Sequence, residues 1–308
     1  MRDRSLRVVV AAEESAGVQT LNALLALRPT AELVTVLTSA DSAGGRRSLV
    51  HEAAHRFGLE TASAELVCSG AFADRLKEEE IDLLINVHSV VVAHRDVVVA
   101  PRIGSFNLHP GPLPEYAGLN APSWAIYNGE ARHGVTLHWM DEDIDAGPVV
   151  WLERFELSDT DTGLSVTGRC VRRGVPLVAR LVETAAEDPS SIPRRPQDLS
   201  RRRYFGAGAP SQGSLDWSRP AAEISRFVRA ADYAPFPSPW GHPEAHLDGR
   251  PVGIAKVAST GLPATDPPGT MRELTTEGAL VATADELVLV SRVWADGHYA
   301  KPLELMSH

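Results

Sequence analysis

Ser105-Phe-Asn-Leu-His-Pro-Gly-Pro-Leu-Pro-Glu-Tyr-Ala-Gly118 decides the fold of this chain, together with Asp141-Glu-Asp-Ile-Asp-Ala-Gly147 further along. Asn107 and His109 stand two apart in an extended run, so both side chains leave the same face of a strand. Pro110, Gly111, Pro112 and Pro114 then stop that strand, because proline brings no N–H to a ladder and glycine relaxes the backbone. An amide and an imidazole therefore look into one space at the C-terminal end of a strand. In an open α/β sheet the ligand crevice lies at that end.

Working outward, Leu6 to Ala12 is a β-branched run that fits a strand buried on both faces. Helical spacing follows from Val18 to Leu27, then a strand from Glu32 to Thr38 and a small-residue loop from Ser39 to Gly45. Ser48 to Phe57 reads as a helix closed by Gly58, Ser69 to Glu80 as another, and Asp82 to Val87 as a strand. Alternation at this pace predicts an α/β fold with a parallel, doubly wound, Rossmann-like sheet. Thr136 to Met140 is a further strand, and Leu164 to Ala186 a long amphipathic helix.

Composition changes after Glu187, where Pro, Ser, Arg and Gly take over and Arg201-Arg-Arg203 reads as a solvated run. Ser218 to Ala231 is expected as a helix with Ser218 as its N-cap and Pro220 near its first turn. Short strands follow at 245–247, 252–257, 279–282 and 287–294, which predict a small C-terminal β-barrel of OB-like form. The expected layout is a catalytic domain at 1–187, a linker at 188–212 and a barrel domain at 213–308.

The chain has 308 residues, 44% of them hydrophobic, enough for a sizeable core. Its net charge of -10 speaks against broad attraction to nucleic acid or anionic membrane. Two distant cysteines, Cys68 and Cys170, form no disulfide framework and are expected as buried apolar residues. No apolar run reaches the length of a signal h-region or a membrane span, so a soluble, cytoplasmic protein is expected. The histidines His88, His94, His133 and His138 are scattered, and no metal-ligand spacing appears. Trp217 reads as a packing anchor, and Trp240, beside the proline-rich turn, fits a packing anchor or a substrate platform equally. The sequence selects no oligomeric state; a homodimer is among those it allows.

Chemistry enters if Asn107, His109 and Asp145 meet. A histidine exchanges protons near neutrality, a carboxylate orients it and stabilises its cation, and an asparagine amide can donate to a developing oxyanion. The three together suit acyl transfer through a tetrahedral intermediate. With no Gly-x-Ser-x-Gly elbow, the nucleophile comes from the substrate, and an amine fits. An isolated Asn-x-His is more often a satisfied polar pair at a strand end. The ordered set around it changes that balance.

Asn107-Leu-His109, Leu113-Pro-Glu-Tyr-Ala-Gly118, Pro122, Gly134-Val-Thr136 and Asp145-Ala-Gly147 resemble, in order, the motifs of the formyltetrahydrofolate-dependent formyltransferases. That family includes methionyl-tRNA formyltransferases and sugar-nucleotide N-formyltransferases. Gly213-Ser-Leu-Asp-Trp217, Arg229-Ala and Pro268-Gly-Thr270 look like its C-terminal domain. The resemblance implies a Rossmann-like domain, a small barrel, and Asn107, His109 and Asp145 as the catalytic trio. It implies N10-formyltetrahydrofolate as donor co-substrate. Its pterin is expected along Val87, His88, Ser89, Val90, Val91 and Val92 and against the loop of Asp141 and Ile144, held largely by main chain. The basic residue that the family carries before Gly118 is Ala117 here. The loop after the first strand, Ala11-Ala-Glu-Glu-Ser15, lacks the family's Gly-Thr-Pro. The loop from Thr38 to Arg47 is short and offers only Arg46 and Arg47. These departures favour a small-molecule amine acceptor, an amino-sugar nucleotide or an amino-acid-type precursor of secondary metabolism, over tRNA. Methionyl-tRNA formyltransferase is the alternative, and a non-catalytic folate-binding module the third reading.

Overall fold

The structure, a computed structural model, describes residues 4–39, 41–42 and 46–306; the small-residue loop expected at 39–45 falls outside them at residues 40 and 43–45. The chain forms two compact units. One comprises residues up to Gly118 with Gly134–Phe155 and Arg169–Tyr204, and the other Leu119–His133, Glu156–Gly168 and Phe205 onward. The bounds drawn from composition at 187 and 213 cross these units: residues 188–204 pack with the first and 205–212 with the second.

The first unit alternates strand and helix: β1 (Leu6–Ala12), α1 (Glu14–Leu25), β2 (Ala31–Thr38), α2 (Leu49–Arg56), β3 (Thr61–Ser63), α3 (Gly70–Glu78), β4 (Leu83–Val87), α4 (Arg95–Val99) and β5 (Gly104–His109). Two more strands follow, β6 (Arg132–Trp139) and β7 (Val149–Glu156). They form one sheet in the order β7-β6-β5-β4-β1-β2-β3. Pairing is parallel from β5 across to β3, and β6 runs antiparallel to β5. The chain winds outward from β1 to β3, then returns to place β4 on the other side of β1. Strand order thus reverses between β1 and β4, the position at which open α/β sheets take their ligands, at the strands' C-terminal ends.

The β-branched strand β1 is buried because both sheet faces are covered: Val8, Val9 and Val10 have almost no exposure. One side packs Val9, Leu37, Phe72, Leu76, Ile81, Leu84 and Val97 into a single cluster. Each such side chain contributes roughly 1.5–3 kcal/mol when fully buried. Helix α2 starts as its sequence predicts, with the Ser48 hydroxyl accepting the His51 N–H at 3.4 Å. Strands β3 and β7 went unread because β3 is only three residues long and β7 lies at the sheet edge with charged positions. Cys170 is buried as expected, but Cys68 is exposed, at the end of a short 3-10 turn.

The second unit holds α5 (Ala121–Tyr127), the beginning of the long helix α6 (Gly163–Glu187), α7 (Ala221–Ala230) and an antiparallel sheet. Its strands are β8 (Glu244–Leu247), β9 (Arg250–Pro263), β10 (Met271–Leu274), β11 (Ala279–Ala282), β12 (Glu286–Ala295) and β13 (His298–Ala300). They pair in the order β8-β9-β12-β11-β10, with β13 on β12, as a half-barrel. Trp124 stacks on Phe205 at 5.0 Å and meets Trp240 edge-on at 4.9 Å, so Trp240 anchors packing. Helix α7 corrects one expectation. Ser218 is not its cap, since that hydroxyl donates to Asp216, and the Ala221 N–H goes to the distant Asp285 carboxylate at 2.9 Å.

Candidate active site

Asn107 and His109 end β5, and Asn107 pairs in register with Asn86 on β4 and with His138 on β6. Directly opposed residues in a sheet share a face, so three amide or imidazole side chains point into one space. Asn86 Nδ2 donates to Asn107 Oδ1 at 3.0 Å and to the Ser89 carbonyl at 3.1 Å. The turn beyond His109 is tied back by Thr136. Its hydroxyl donates to the Gly111 carbonyl at 2.7 Å and accepts the Leu113 N–H at 3.1 Å.

Asp145 comes to this space from the loop after β6. Its Oδ1 accepts from Asn107 Nδ2 at 3.2 Å and lies 3.4 Å from His138 Nε2; its Oδ2 accepts the Gly118 N–H at 2.8 Å and lies 3.5 Å from His109 Nδ1. The expected trio therefore converges, with the carboxylate between two imidazoles. Asp145 is buried, and its backbone is left-handed at φ 56°. Gly147 must be glycine here, because a Cβ would overlap the Trp139 carbonyl. Asp141, Glu142 and Asp143 on the same loop are exposed.

Burial alone would raise the Asp145 pKa. The neighbouring His109 and the Gly118 N–H work against it, and the carboxyl stays well below the usual range. Burial pushes His109 below the ordinary histidine value, against the pull of Asp145 and of the Tyr116 carbonyl. His109 Nε2 lies 2.6 Å from that carbonyl and donates to it, which leaves Nδ1 as the acceptor facing Asp145. A neutral imidazole beside a fixed carboxylate can take a proton and have the resulting cation stabilised at once.

His138 is the residue that motif reading passed over. Its Nδ1 donates to the Trp139 carbonyl at 2.7 Å, so Nε2 accepts from Asn107 Nδ2 at 3.1 Å. The available signal was the Thr136-x-His138 alternation, which mirrors Asn107-x-His109 across the ladder.

The segment Val87 to Val92 leaves β4 at the switch point. Val87 is buried, and His88 turns through φ 60° with Nδ1 3.5 Å from Glu14 Oε2. Ser89 is buried with its hydroxyl unpartnered, and Val91 packs on the core cluster. Val90, Val92 and, on the Asp145 loop, Ile144 are 73%, 59% and 42% exposed, a high level for apolar side chains. The run 201–203 is exposed at Arg201 and Arg203 as expected, with Arg202 half-buried, and all three side chains find partners. Arg201 pairs with Glu115 at 2.5 Å, Arg202 donates to the Ile144 carbonyl at 2.8 Å, and the Arg203 guanidinium lies 4.6 Å from the Tyr116 ring centroid. Among the described residues no group of three or more His, Cys, Asp or Glu side chains is placed to hold a metal ion, and no helix is long and apolar enough to cross a membrane.

A largely parallel α/β sheet with an Asn-His-Asp cluster at the strands' C-terminal ends, followed by an antiparallel half-barrel, is an arrangement able to support acyl transfer. Residues 6–180 match the family described as formyl transferase, and residues 209–306 its C-terminal domain. The chain belongs to the formyl transferase family. It is 31% identical over 306 residues to a methionyl-tRNA formyltransferase of Roseiflexus castenholzii, covering 97% of this chain and 94% of that protein. An N-formyltransferase of Helicobacter canadensis, solved in complex with folinic acid and dTDP-3-aminofucose, superposes with a TM-score of 0.69 at 19% identity over 93% of this chain and 99% of that one. A 4-N formyltransferase of Francisella tularensis gives 0.64 at 16% identity over 82% and 97%.

Proposed function

We propose that the protein is an N-formyltransferase that moves the formyl group of N10-formyltetrahydrofolate to the amine of a small metabolite. The observation that carries this reading is the buried Asp145 carboxylate held between His109 and His138 beside the Asn107 amide. When bound, the folate supplies an activated formyl carbonyl and an amine leaving group. His109 takes, at Nδ1, the proton that the attacking amine sheds, and Asp145 stabilises the imidazolium. Asn107 turns an N–H from His138 to the carbonyl oxygen as negative charge builds there. The same His109–Asp145 pair returns a proton to the departing N10, so protons balance over the cycle.

The region assigned to the folate suits it. Val90, Val92 and Ile144 offer apolar surface to a flat ring, and the unpartnered Ser89 hydroxyl offers a polar contact at its edge. Val87, His88, Val91 and Asp141 contribute mainly backbone. We read 1–187 as the catalytic part, 188–212 as linker and 213–308 as the C-terminal part; the family matches at 6–180 and 209–306 support that division.

The acceptor is a small amine, an amino-sugar nucleotide or an amino-acid-type precursor. Acidic net charge and the exposed Glu14 at the crevice favour a cationic amine over an RNA phosphate. Methionyl-tRNA is the second reading, supported by the 31% identical relative. Incubation with N10-formyltetrahydrofolate and either candidate amines or charged initiator tRNA, following folate release by absorbance and product mass, separates the two. Faster formylation of tRNA than of any amine would replace the first reading with the second. No release with either would leave a folate-binding module.

A further inference from the structure

The segment that composition marks as a linker reaches the Asp145 loop through two side chains. Gln197 Nε2 donates to the Asp145 carbonyl at 2.9 Å and to the Gly147 carbonyl at 2.6 Å. Arg202 Nη2 donates to the Ile144 carbonyl at 2.8 Å. A backbone bridge between Val149 and Arg195, with N–O distances of 2.8 and 3.1 Å, fixes the register of the segment on β7. All these residues lie within the first unit.

Three carbonyls of the tight turn 144–147 are thus held by one strap, while the Asp145 carboxylate on the other side meets Asn107, His109, His138 and Gly118. The turn needs such a hold. Asp145 sits at φ 56°, a conformation that is sparsely populated for residues other than glycine and persists only where its surroundings fix it. Within the turn the Ala146 N–H also reaches the Asp143 carbonyl at 3.3 Å. A free loop of this kind would let the carboxylate wander, and catalytic groups must be held to within about 0.5 Å.

We propose that Gln197 and Arg202 are positioning residues for formyl transfer: they clamp the turn 144–147 so that Asp145 reaches His109 and His138 in one fixed orientation. Neither side chain touches the reacting atoms. The inference rests on the assignment of Asp145 as catalytic.

Gln197→Met tests it, because it keeps the length of the side chain and removes both N–H donors. The expected result is a kcat lower by about tenfold to a hundredfold, in line with the cost of a small misplacement, with KM for amine and for folate within about threefold. The acid limb of the kcat profile, which reports His109, should move to lower pH, since a looser carboxylate stabilises the imidazolium less. A merely structural role would lower the folded fraction without moving that limb. Arg202→Met repeats the test through Ile144 and is expected to act in the same direction. Full kcat with an unmoved acid limb in either variant overturns the proposal. Asp145→Asn is the control. If it retains full turnover, the assignment of Asp145 fails; if it is inactive while Gln197→Met is unchanged, only the strap is lost.

Discussion

Asn107 on β5 and His138 on β6 stand directly opposite one another, Nδ2 to Nε2 at 3.1 Å, and both lean on the Asp145 carboxylate. Asn107 also accepts from Asn86, so its amide is oriented from three sides. His138→Leu keeps the bulk of the side chain and removes the acceptor. It leaves an Asn107 N–H and the Trp139 carbonyl without their partner, a loss of about 1–3 kcal/mol in a buried setting. The expected outcome is a kcat lower by roughly tenfold to a hundredfold with a folded protein. Steady-state kinetics beside a circular dichroism spectrum check it. Turnover within about twofold of the parent would show that His138 is only core.

Protonation sets a second expectation. With His109 as the proposed base, turnover needs it neutral, and burial holds its pKa below the ordinary value of about 6.5. The kcat should therefore rise with pH through a midpoint below that value and stay flat above it. Stability follows the same sign. His109 and Asp145 both have folded pKa values below their unfolded ones. Their contributions are present above the unfolded values and are lost as pH falls, first below about 6.5 for His109 and then below about 4 for Asp145. Denaturant midpoints measured downward from neutrality should fall in both windows, and Asp145→Asn should remove the lower one. A midpoint that rises on acidification contradicts these assignments.

The parallel sheet was legible because β1, β2 and β4 are mostly apolar and β-branched or Leu-rich, and helices stand between them. The pairing of Asn107 and His109 on one face was legible from their spacing alone. Convergence with Asp145 was not, since it needs a left-handed turn held by residues outside the motif. His138 escaped because its partner lies across a ladder rather than along the chain. The cap of α7 escaped for a similar reason: Asp285 supplies it from the half-barrel, while Ser218 turns to Asp216. The strap at 188–204 reads as linker by composition, and its hold on the fold runs through long polar side chains to backbone carbonyls, which leave no periodic trace.

Gly147 provides a test of the turn's geometry that does not involve chemistry. A Cβ at this position would overlap the Trp139 carbonyl and press on Met140 backbone, neither of which is the end of a flexible side chain. Gly147→Ala must therefore shift the turn or the strand end. We expect a loss of more than about 2 kcal/mol in urea unfolding, in the range of backbone and overpacking defects. Turnover should fall with it, because Asp145 lies two residues away. Gly206 is the comparison: nothing stands within 4 Å of a Cβ added there, and its replacement by alanine should cost little. Equal stability of the two variants would mean that the turn has room that the structure denies it.

Glu14 carries the prediction about the acceptor. Two glutamates follow β1 at the switch point, and they do different things. Glu13 is engaged: its carboxylate accepts from the Ser39 N–H at 2.7 Å, the Ser39 hydroxyl at 2.9 Å and the Thr38 hydroxyl at 3.2 Å. Glu14 is largely exposed and meets only His88 among the described residues, whose hydrogen bond holds its carboxyl below the usual carboxylate range. A negative charge at the mouth of the crevice attracts an ammonium and repels a phosphate. Glu14→Gln should raise KM for a cationic amine by about tenfold, the equivalent of 1.4 kcal/mol, while kcat and the folate KM stay within about twofold. The salt dependence of kcat/KM should flatten, since screening acts on the charge that was removed. Glu14→Asp, which keeps the charge, should recover most of the loss. If Glu14→Gln instead improves use of an acceptor rich in phosphate, the carboxylate serves to exclude that class, and the same argument of sign holds. If KM is indifferent to the charge for every acceptor, Glu14 lies off the path by which the amine arrives.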